Sequence, residues 1–202
     1  SITGYYKGVK VMAISTGMGG PSVAIGVEEL ANIGVEAMIR IGSCGALREG
    51  IKLGDLVIVN GAVRDDGASK SYIESIYPAI PDTELLVDVI EAAKNMGYPY
   101  HVGIGRSHDC LYGDPKKDLD AYWGSKRVIS SDMETATLFV VGGLRGVKTA
   151  SILNNVVEVE GDLQNEINSY VNGESAVAEG EKREILTALE AIVILDKKRK
   201  LF

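Results

Sequence analysis

Cysteine is scarce in this chain: Cys44 and Cys110 are the only two in 202 residues, far apart and without metal-type spacing. No disulfide framework can be built from them, and so few cysteines fit a reducing compartment. Histidine is equally scarce. His101 and His108 show neither metal-ligand spacing nor an acidic partner, so no metal is expected, and His101 reads as packing within a strand. Cys44 has no histidine tied to it and reads as a packed residue rather than a nucleophile. There is no arginine-rich patch and no interleaving of basic and aromatic residues, and the net charge is −7. Nucleic acid and anionic membranes are therefore excluded as partners. The one basic run, Lys197-Lys198-Arg199-Lys200, reads as a helix end whose cations complement the dipole and fray into solvent. No apolar run is long enough to cross a bilayer and no signal-peptide pattern precedes the first strand, so a cytoplasmic protein is expected. Repeats, low-complexity tracts and composition breaks are absent too. With 46% apolar residues, the chain is expected to form one domain, 1–202, with its own core.

What is present is an alternation of short apolar runs with helical periodicity, which predicts an α/β sandwich with a mostly parallel sheet. Residues 9–15 read as a strand, followed by a turn at 16–20 and by Pro21 in the first turn of a helix. Val23, Val27, Leu30 and Ala31 recur at helical spacing until Gly34. A strand containing Arg40 follows, and another at 56–59. Asp82 is expected to cap a helix whose Leu85, Val89, Ala92 and Ala93 face inward as far as Gly97. Strands are expected at 100–104 and 147–153, with a helix at 132–144 between them. The last helix, about 174–200, presents Ile185, Leu189, Ile192 and Val193 on one face. Residues 64–81, 107–127 and 154–170 read as three long loops, which in a compact domain carry function.

The chain is organised around Met38-Ile39-Arg40-Ile41-Gly42-Ser43-Cys44-Gly45-Ala46-Leu47, an apolar run with a cation in its middle that breaks into a glycine-rich turn. A buried cation requires an anion to meet it. The glycines allow close backbone approach, and Ser43 adds a hydroxyl donor. One reading is an oxyanion pocket at the carboxyl end of a parallel strand. The other is an edge strand with Arg40 in water, and the local pattern leaves both open. Thr16-Gly17-Met18-Gly19-Gly20-Pro21-Ser22 looks like a phosphate-cradling turn but fits neither GxGxxG nor the P-loop, so a tight structural turn is the plainer reading. Ser131-Asp132-Met133-Glu134-Thr135-Ala136 places Asp132 as a helix cap and Glu134 in the first turn. Glu134 becomes functional only if it shares a cavity with Arg40.

Taken together and in order, residues 15–22, 39–46 and 132–136, joined by Gly54-Asp55-Leu56-Val57, resemble the nucleoside phosphorylase family. Val63-Arg64-Asp65-Asp66-Gly67-Ala68-Ser69 with Tyr77-Pro78-Ala79 is similar to its uridine phosphorylase branch. The resemblance implies a three-layer α/β sandwich with a twisted mixed sheet and helices on both faces. It implies a pentosyltransferase: a nucleoside and phosphate give free base and pentose 1-phosphate. Arg40, Ser43 and Gly17 would hold phosphate, while Glu134, Met133 and Ser43 would hold the ribose. Arg40 and Glu134 would be catalytic, and Cys44, Gly45, Leu111, Asp132 and Asn155 would line the base. No cofactor is implied beyond phosphate as co-substrate. A monovalent-cation site between subunits would keep Met18 and Ser22 but lose its glutamate, and the implied assembly is a homodimer or homohexamer.

The chain departs from the family in three respects. Family members begin with a strand and a Gly-Asp-Pro-x-Arg phosphate loop, and this chain starts after both. The uridine branch reads its pyrimidine with a glutamine and an arginine where this chain has Pro115, Lys116 and Lys117. Purine-specific members carry an aspartate where this chain has Asn154-Asn155. The expectation is therefore a phosphorylase with uridine favoured. The alternatives are a purine nucleoside phosphorylase, a nucleosidase, or a catalytically silent nucleoside-binding subunit. The enzymatic expectation depends on Arg40 and Glu134 sharing one cavity, and an arginine already neutralised by an internal acid would count against it.

Overall fold

The computed structural model describes residues 1–113, 116–159, 161 and 175–200. Pro115 and most of the loop expected at 154–170 lie outside the described residues. Seven strands and six helices follow one another along these segments: β1 (Ile2–Tyr6), β2 (Val9–Ala13), α1 (Gly20–Asn32), β3 (Ala37–Ala46), β4 (Leu56–Asp65), α2 (Gly67–Tyr72), α3 (Thr83–Asn95), β5 (Tyr100–His108), α4 (Lys116–Ser125), β6 (Val128–Asp132), α5 (Thr135–Leu144), β7 (Lys148–Val157) and α6 (Ser175–Arg199).

β1 and β2 form a hairpin whose two turn residues, Lys7 and Gly8, have φ of 47° and 83°. Positive φ at both positions matches the right-handed twist of the flanking strands. The other five strands close on themselves in the order β3-β6-β5-β4-β7. β3–β7, β4–β5 and β5–β6 are parallel, whereas β3–β6 and β4–β7 are antiparallel. The expected mixed, mostly parallel sheet with helices on both faces is thus observed, curled until its edges meet. At Arg40 β3 is paired with Ser151 of β7 alone, and β6 joins its other side only at Gly45 and Ala46. The reading with Arg40 in water fails because its side chain is 15% exposed and paired with Asp132 and Glu134.

Two apolar layers flank the sheet. One gathers Val23, Val27, Phe139, Val140 and Val141 from α1 and α5 against Val57, Val59 and Leu153. The other sets Leu85, Val89 and Ala92 of α3 and Ala188, Ala191 and Leu195 of α6 against Leu56, Ile58 and Ile152. Each large side chain removed from water in these layers contributes about 1.5–3 kcal/mol. The helix signals read from sequence act as expected at α1 and α3. Pro21 stands in the first turn of α1, and the Asp82 side chain accepts from the Leu85 amide at 2.9 Å.

Several boundaries move. The expected loop at 64–81 begins with the end of β4 and then α2, capped by Asp66, whose Oδ2 accepts from the Ser69 amide at 2.7 Å. Arg64 clasps what remains, donating to Ser69, Ile73, Glu74 and Tyr77. The expected loop at 107–127 contains α4, where Leu119, Tyr122 and Trp123 fall at helical spacing. The helix expected from 132 starts at Thr135, because Asp132 ends β6. In α6 the inward stripe is Val177, Glu184, Thr187, Ala188, Ala191, Val193 and Leu195; of the expected face Val193 is buried, while Ile185 stays 39% exposed. The basic run at the end of α6 does not fray: Lys198 pairs with Asp88, Arg199 with Glu36 and Lys200 with Asp196. His101 is not packing alone either, since its Nε2 lies 3.0 Å from Asp55 Oδ2. That partner is 46 residues away in sequence, on the turn before β4, which is why spacing hid it.

Candidate active site

Three strand or turn ends converge: the carboxyl half of β3, the junction of β6 with α5, and the turn before α1. Arg40 projects from β3 with its side chain 15% exposed. Its Nε donates to Asp132 Oδ2 at 3.1 Å and its Nη2 to Glu134 Oε2 at 2.5 Å. The anions that meet the buried cation in this structure are therefore internal, and the condition set against the enzymatic expectation is met at Arg40. Burial alone would lower the Arg40 pKa. The Asp132 and Glu134 charges outweigh burial and hold it above the ordinary arginine value.

Glu134 does more than pair. Its Oε1 accepts from the Gly19 amide at 2.6 Å, and its Oε2 also accepts from the Met133 amide at 3.2 Å. Gly19 has φ of 86°, a left-handed conformation open to glycine, and that turns its N–H toward the carboxylate. The turn at 16–20 thus does meet an anion, and the anion is a side chain of the same protein. Ser22 Oγ braces the turn by donating to the Thr16 carbonyl, and Gly17 is exposed with φ of 73°.

Asp132 is a hub. Ser107 Oγ donates to its Oδ1 at 2.6 Å, while the Thr135 amide (2.9 Å) and Thr135 Oγ1 (2.5 Å) donate to its Oδ2. Thr135 Oγ1 lies 2.8 Å from Ser151 Oγ. Asp132 receives the amide of Thr135, but it is not the expected cap: it ends β6, and the cap position of α5 is Glu134, whose side chain makes no capping bond. With both oxygens engaged, Asp132 holds Arg40 and the helix start, and the expectation that it reads a base is corrected. Cys44 is likewise corrected: it is 3% exposed within the apolar core. Burial pushes its thiol well above the ordinary value, with Asp132 and Glu184 adding to the rise, so it is inert as a nucleophile.

Of the remaining candidates, Ser43 is half-buried three residues after Arg40, and Met133 is half-buried beside Glu134. Gly45 sits in the ladder between Ser131 and Val157, at a register shift of β3. Leu111 is half-buried beyond β5. Asn155 is fully buried and donates to the Ile51 and Lys52 carbonyls at 3.4 and 3.2 Å. Its Oδ1 has no hydrogen-bond partner among the described residues. Gly19, Ser107, Thr135, Ser151 and Glu184 were missed in the sequence. The first four are small residues whose role depends on a neighbour far along the chain. Glu184 is hidden in the charged run Glu181-Lys182-Arg183-Glu184. No group of three or more potential metal ligands occurs among the described residues.

A closed α/β sheet with an arginine–carboxylate cluster at its strand ends, beside a glycine turn and a helix start, defines a site for a small polar molecule. Comparison with known proteins gives the class. Residues 1–170 match the phosphorylase superfamily, and the chain belongs to that family. The chain is 40% identical to a uridine phosphorylase of Thermococcus kodakarensis over 205 residues, covering 96% of this chain and 70% of that protein. It is 37% identical to a guanosine phosphorylase of Halorubrum lacusprofundi, over 78% of this chain and 64% of that one. Among solved structures, a uridine phosphorylase of Vibrio fischeri superposes with a TM-score of 0.87 at 44% identity, covering 95% of this chain and 77% of the other.

Proposed function

We propose that residues 1–202 act as one domain catalysing reversible phosphorolysis of a nucleoside, uridine favoured, to free base and pentose 1-phosphate. The observation that carries the reading is the match of residues 1–170 to the phosphorylase superfamily, because Arg40 is already neutralised inside the protein by Asp132 and Glu134 and does not by itself call for a phosphate. Likeness to two uridine phosphorylases at 40% and 44% identity supports the pyrimidine choice. The guanosine phosphorylase relative, at 37%, keeps a purine nucleoside as the second reading.

Cleavage breaks the bond from sugar C1 to the base nitrogen and forms a bond from C1 to a phosphate oxygen. Positive charge builds on the sugar on the way, as in other glycosidic cleavages. Phosphate arriving beside Arg40 competes with Glu134 for the Arg40 Nη2 and the Gly19 amide. A Glu134 carboxylate so displaced is free to accept from the ribose hydroxyls, which become stronger donors as charge develops. Asp132 keeps its grip on Nε throughout, so the guanidinium stays aimed. Met133 packs against the apolar face of the sugar. Ser43 and Gly17 extend the phosphate contacts, and Gly45 and Leu111 border the base, while Asn155, fully buried and tied to the Ile51 and Lys52 carbonyls, stays out of its reach.

We further infer a homo-oligomer. Ile2 and Tyr5 on the hairpin, Met18 in the glycine turn, Ile25 on α1 and Ile33 just after it are 78%, 76%, 88%, 62% and 71% exposed, large apolar side chains that contact with a second copy would cover. The deciding assay is release of uracil from uridine, against hypoxanthine from inosine, with and without phosphate. Phosphate-dependent uracil release is expected. Equal release without phosphate would make the protein a hydrolase, and nucleoside binding without product would make it a silent binding subunit.

A further inference from the structure

The steps above make no use of Glu184, although it is 4% exposed and reaches from α6 to the strand that carries Arg40 and Ser43. We infer that Glu184 is a positioning residue for phosphate, a buried carboxyl on α6 that fixes the Gly42 amide between Arg40 and Ser43. The inference rests on the phosphorolytic reading.

The geometry comes first. Glu184 Oε2 accepts from the Gly42 amide at 3.1 Å. Gly42 and the guanidinium are so close that a Cβ on Gly42 would lie 2.3 Å from Arg40 Nη1, so whatever fixes this backbone also fixes where the guanidinium can rest. Glu184 cannot swing away, because the first turns of α6 are locked onto the strand ends. Asn154 Nδ2 donates to the Val177 carbonyl at 2.9 Å, and Gly180 is seated where a Cβ would lie 2.1 Å from Asn154 Oδ1.

Charge gives the second part. Arg40 already faces two carboxylates, Asp132 and Glu134. An ionised Glu184 adds a third negative group beside one cation, in a place where phosphate must also fit. The charged and titratable groups facing Glu184 are Arg40 and the Cys44 thiol on β3 and Glu181 on its own helix, while β7 presents the neutral Asn154. Burial pushes the Glu184 carboxyl up to about 8, against the opposing pull of the Gly42 amide and Arg40 and with a further push from Glu181. At neutral pH it therefore keeps its proton, and the cluster stays one negative charge less repulsive to an incoming anion.

The test is calorimetric titration of the intact protein with inorganic phosphate at about pH 6.5 and about pH 9.5, with turnover followed in parallel. Phosphate's own ionisation is common to wild type and variants and cancels between them. Wild type is expected to bind phosphate about tenfold more weakly at the higher pH than Glu184→Gln does, the two being alike at the lower pH. In turnover the difference is expected in KM for phosphate rather than in kcat. Glu184→Ala, which leaves the Gly42 amide unpaired, is expected to lose affinity at both pH values, with Gln restoring it. Identical pH dependence in wild type and Gln variant would overturn the role of Glu184 while leaving phosphorolysis standing. Phosphate binding without turnover would remove the phosphorolytic reading alone, and no phosphate binding at either pH would remove both.

Discussion

Arg40 is held by two acids at once, and this makes its removal doubly costly. Arg40→Ala leaves Asp132 and Glu134 as uncompensated, nearly buried carboxylates, which should cost about 3–5 kcal/mol of stability. The same variant should raise KM for phosphate and lower kcat/KM about a hundredfold, the scale on which loss of one anion donor registers. Steady-state kinetics at varied phosphate separate this from mere unfolding, provided the melting temperature stays above the assay temperature. Glu134→Gln keeps an acceptor for the Gly19 amide but loses the charge, so it should fold well, bind phosphate more tightly and turn over more slowly. Unchanged kinetics in both variants would dismantle the site.

Glu184 also predicts a pH dependence of stability. The unfolded chain releases this proton near the ordinary 4.5, whereas the folded chain holds it to about 8. Between those values the folded state binds more protons, so its stability falls as pH rises, by about 1.4 kcal/mol per unit at most, and levels off above pH 8. Chemical denaturation across the window should show that slope in wild type and its absence in Glu184→Gln.

Among the elements, α6 is the one whose placement matters most to the site. Its approach to β7 depends on Gly180 and Gly54, since a Cβ on Gly180 would meet Asn154 Oδ1 at 2.1 Å and Gly54 Cα at 2.7 Å. Gly180→Ala should therefore push the helix outward and cost about 1–3 kcal/mol by overpacking, although alanine favours helices elsewhere. A thermal melt checks the cost, and weakened phosphate binding would show that the displacement reaches Gly42. The helix was legible in the sequence, but of its expected inward face only Val193 is buried. Ile185 looked like core and is exposed, while Glu184 looked like surface and is buried. Periodicity marks a stripe only where polarity and burial agree, and here a functional carboxyl sits on the buried stripe. α4 shows the complementary failure: Leu119, Tyr122 and Trp123 carry the helical spacing, but a polar setting masked it.

At the scale of the molecule, the exposed apolar residues of β1, the glycine turn and α1 predict self-association. Sedimentation should give an oligomer, and Ile25→Glu with Ile33→Glu should shift it toward monomer while leaving the far-ultraviolet spectrum unchanged. Phosphate should raise the melting temperature of wild type, because binding to the folded state alone stabilises it by mass action.

By itself the sequence determined the alternating α/β plan, the cap at Asp82, the inward faces of α1 and α3, and the segments that mark the phosphorylase family. All of these rest on local patterns, which the chain displays residue by residue. Only the tertiary structure decided what meets Arg40, because Asp132 and Glu134 stand 92 and 94 residues away and arrive there through the closure of the sheet. It likewise decided that the Gly19 amide faces Glu134 and that Glu184 reaches Gly42, 142 residues distant. A buried charge announces that it needs a partner, but which partner it takes is settled by topology, and topology is written in no single stretch of the chain.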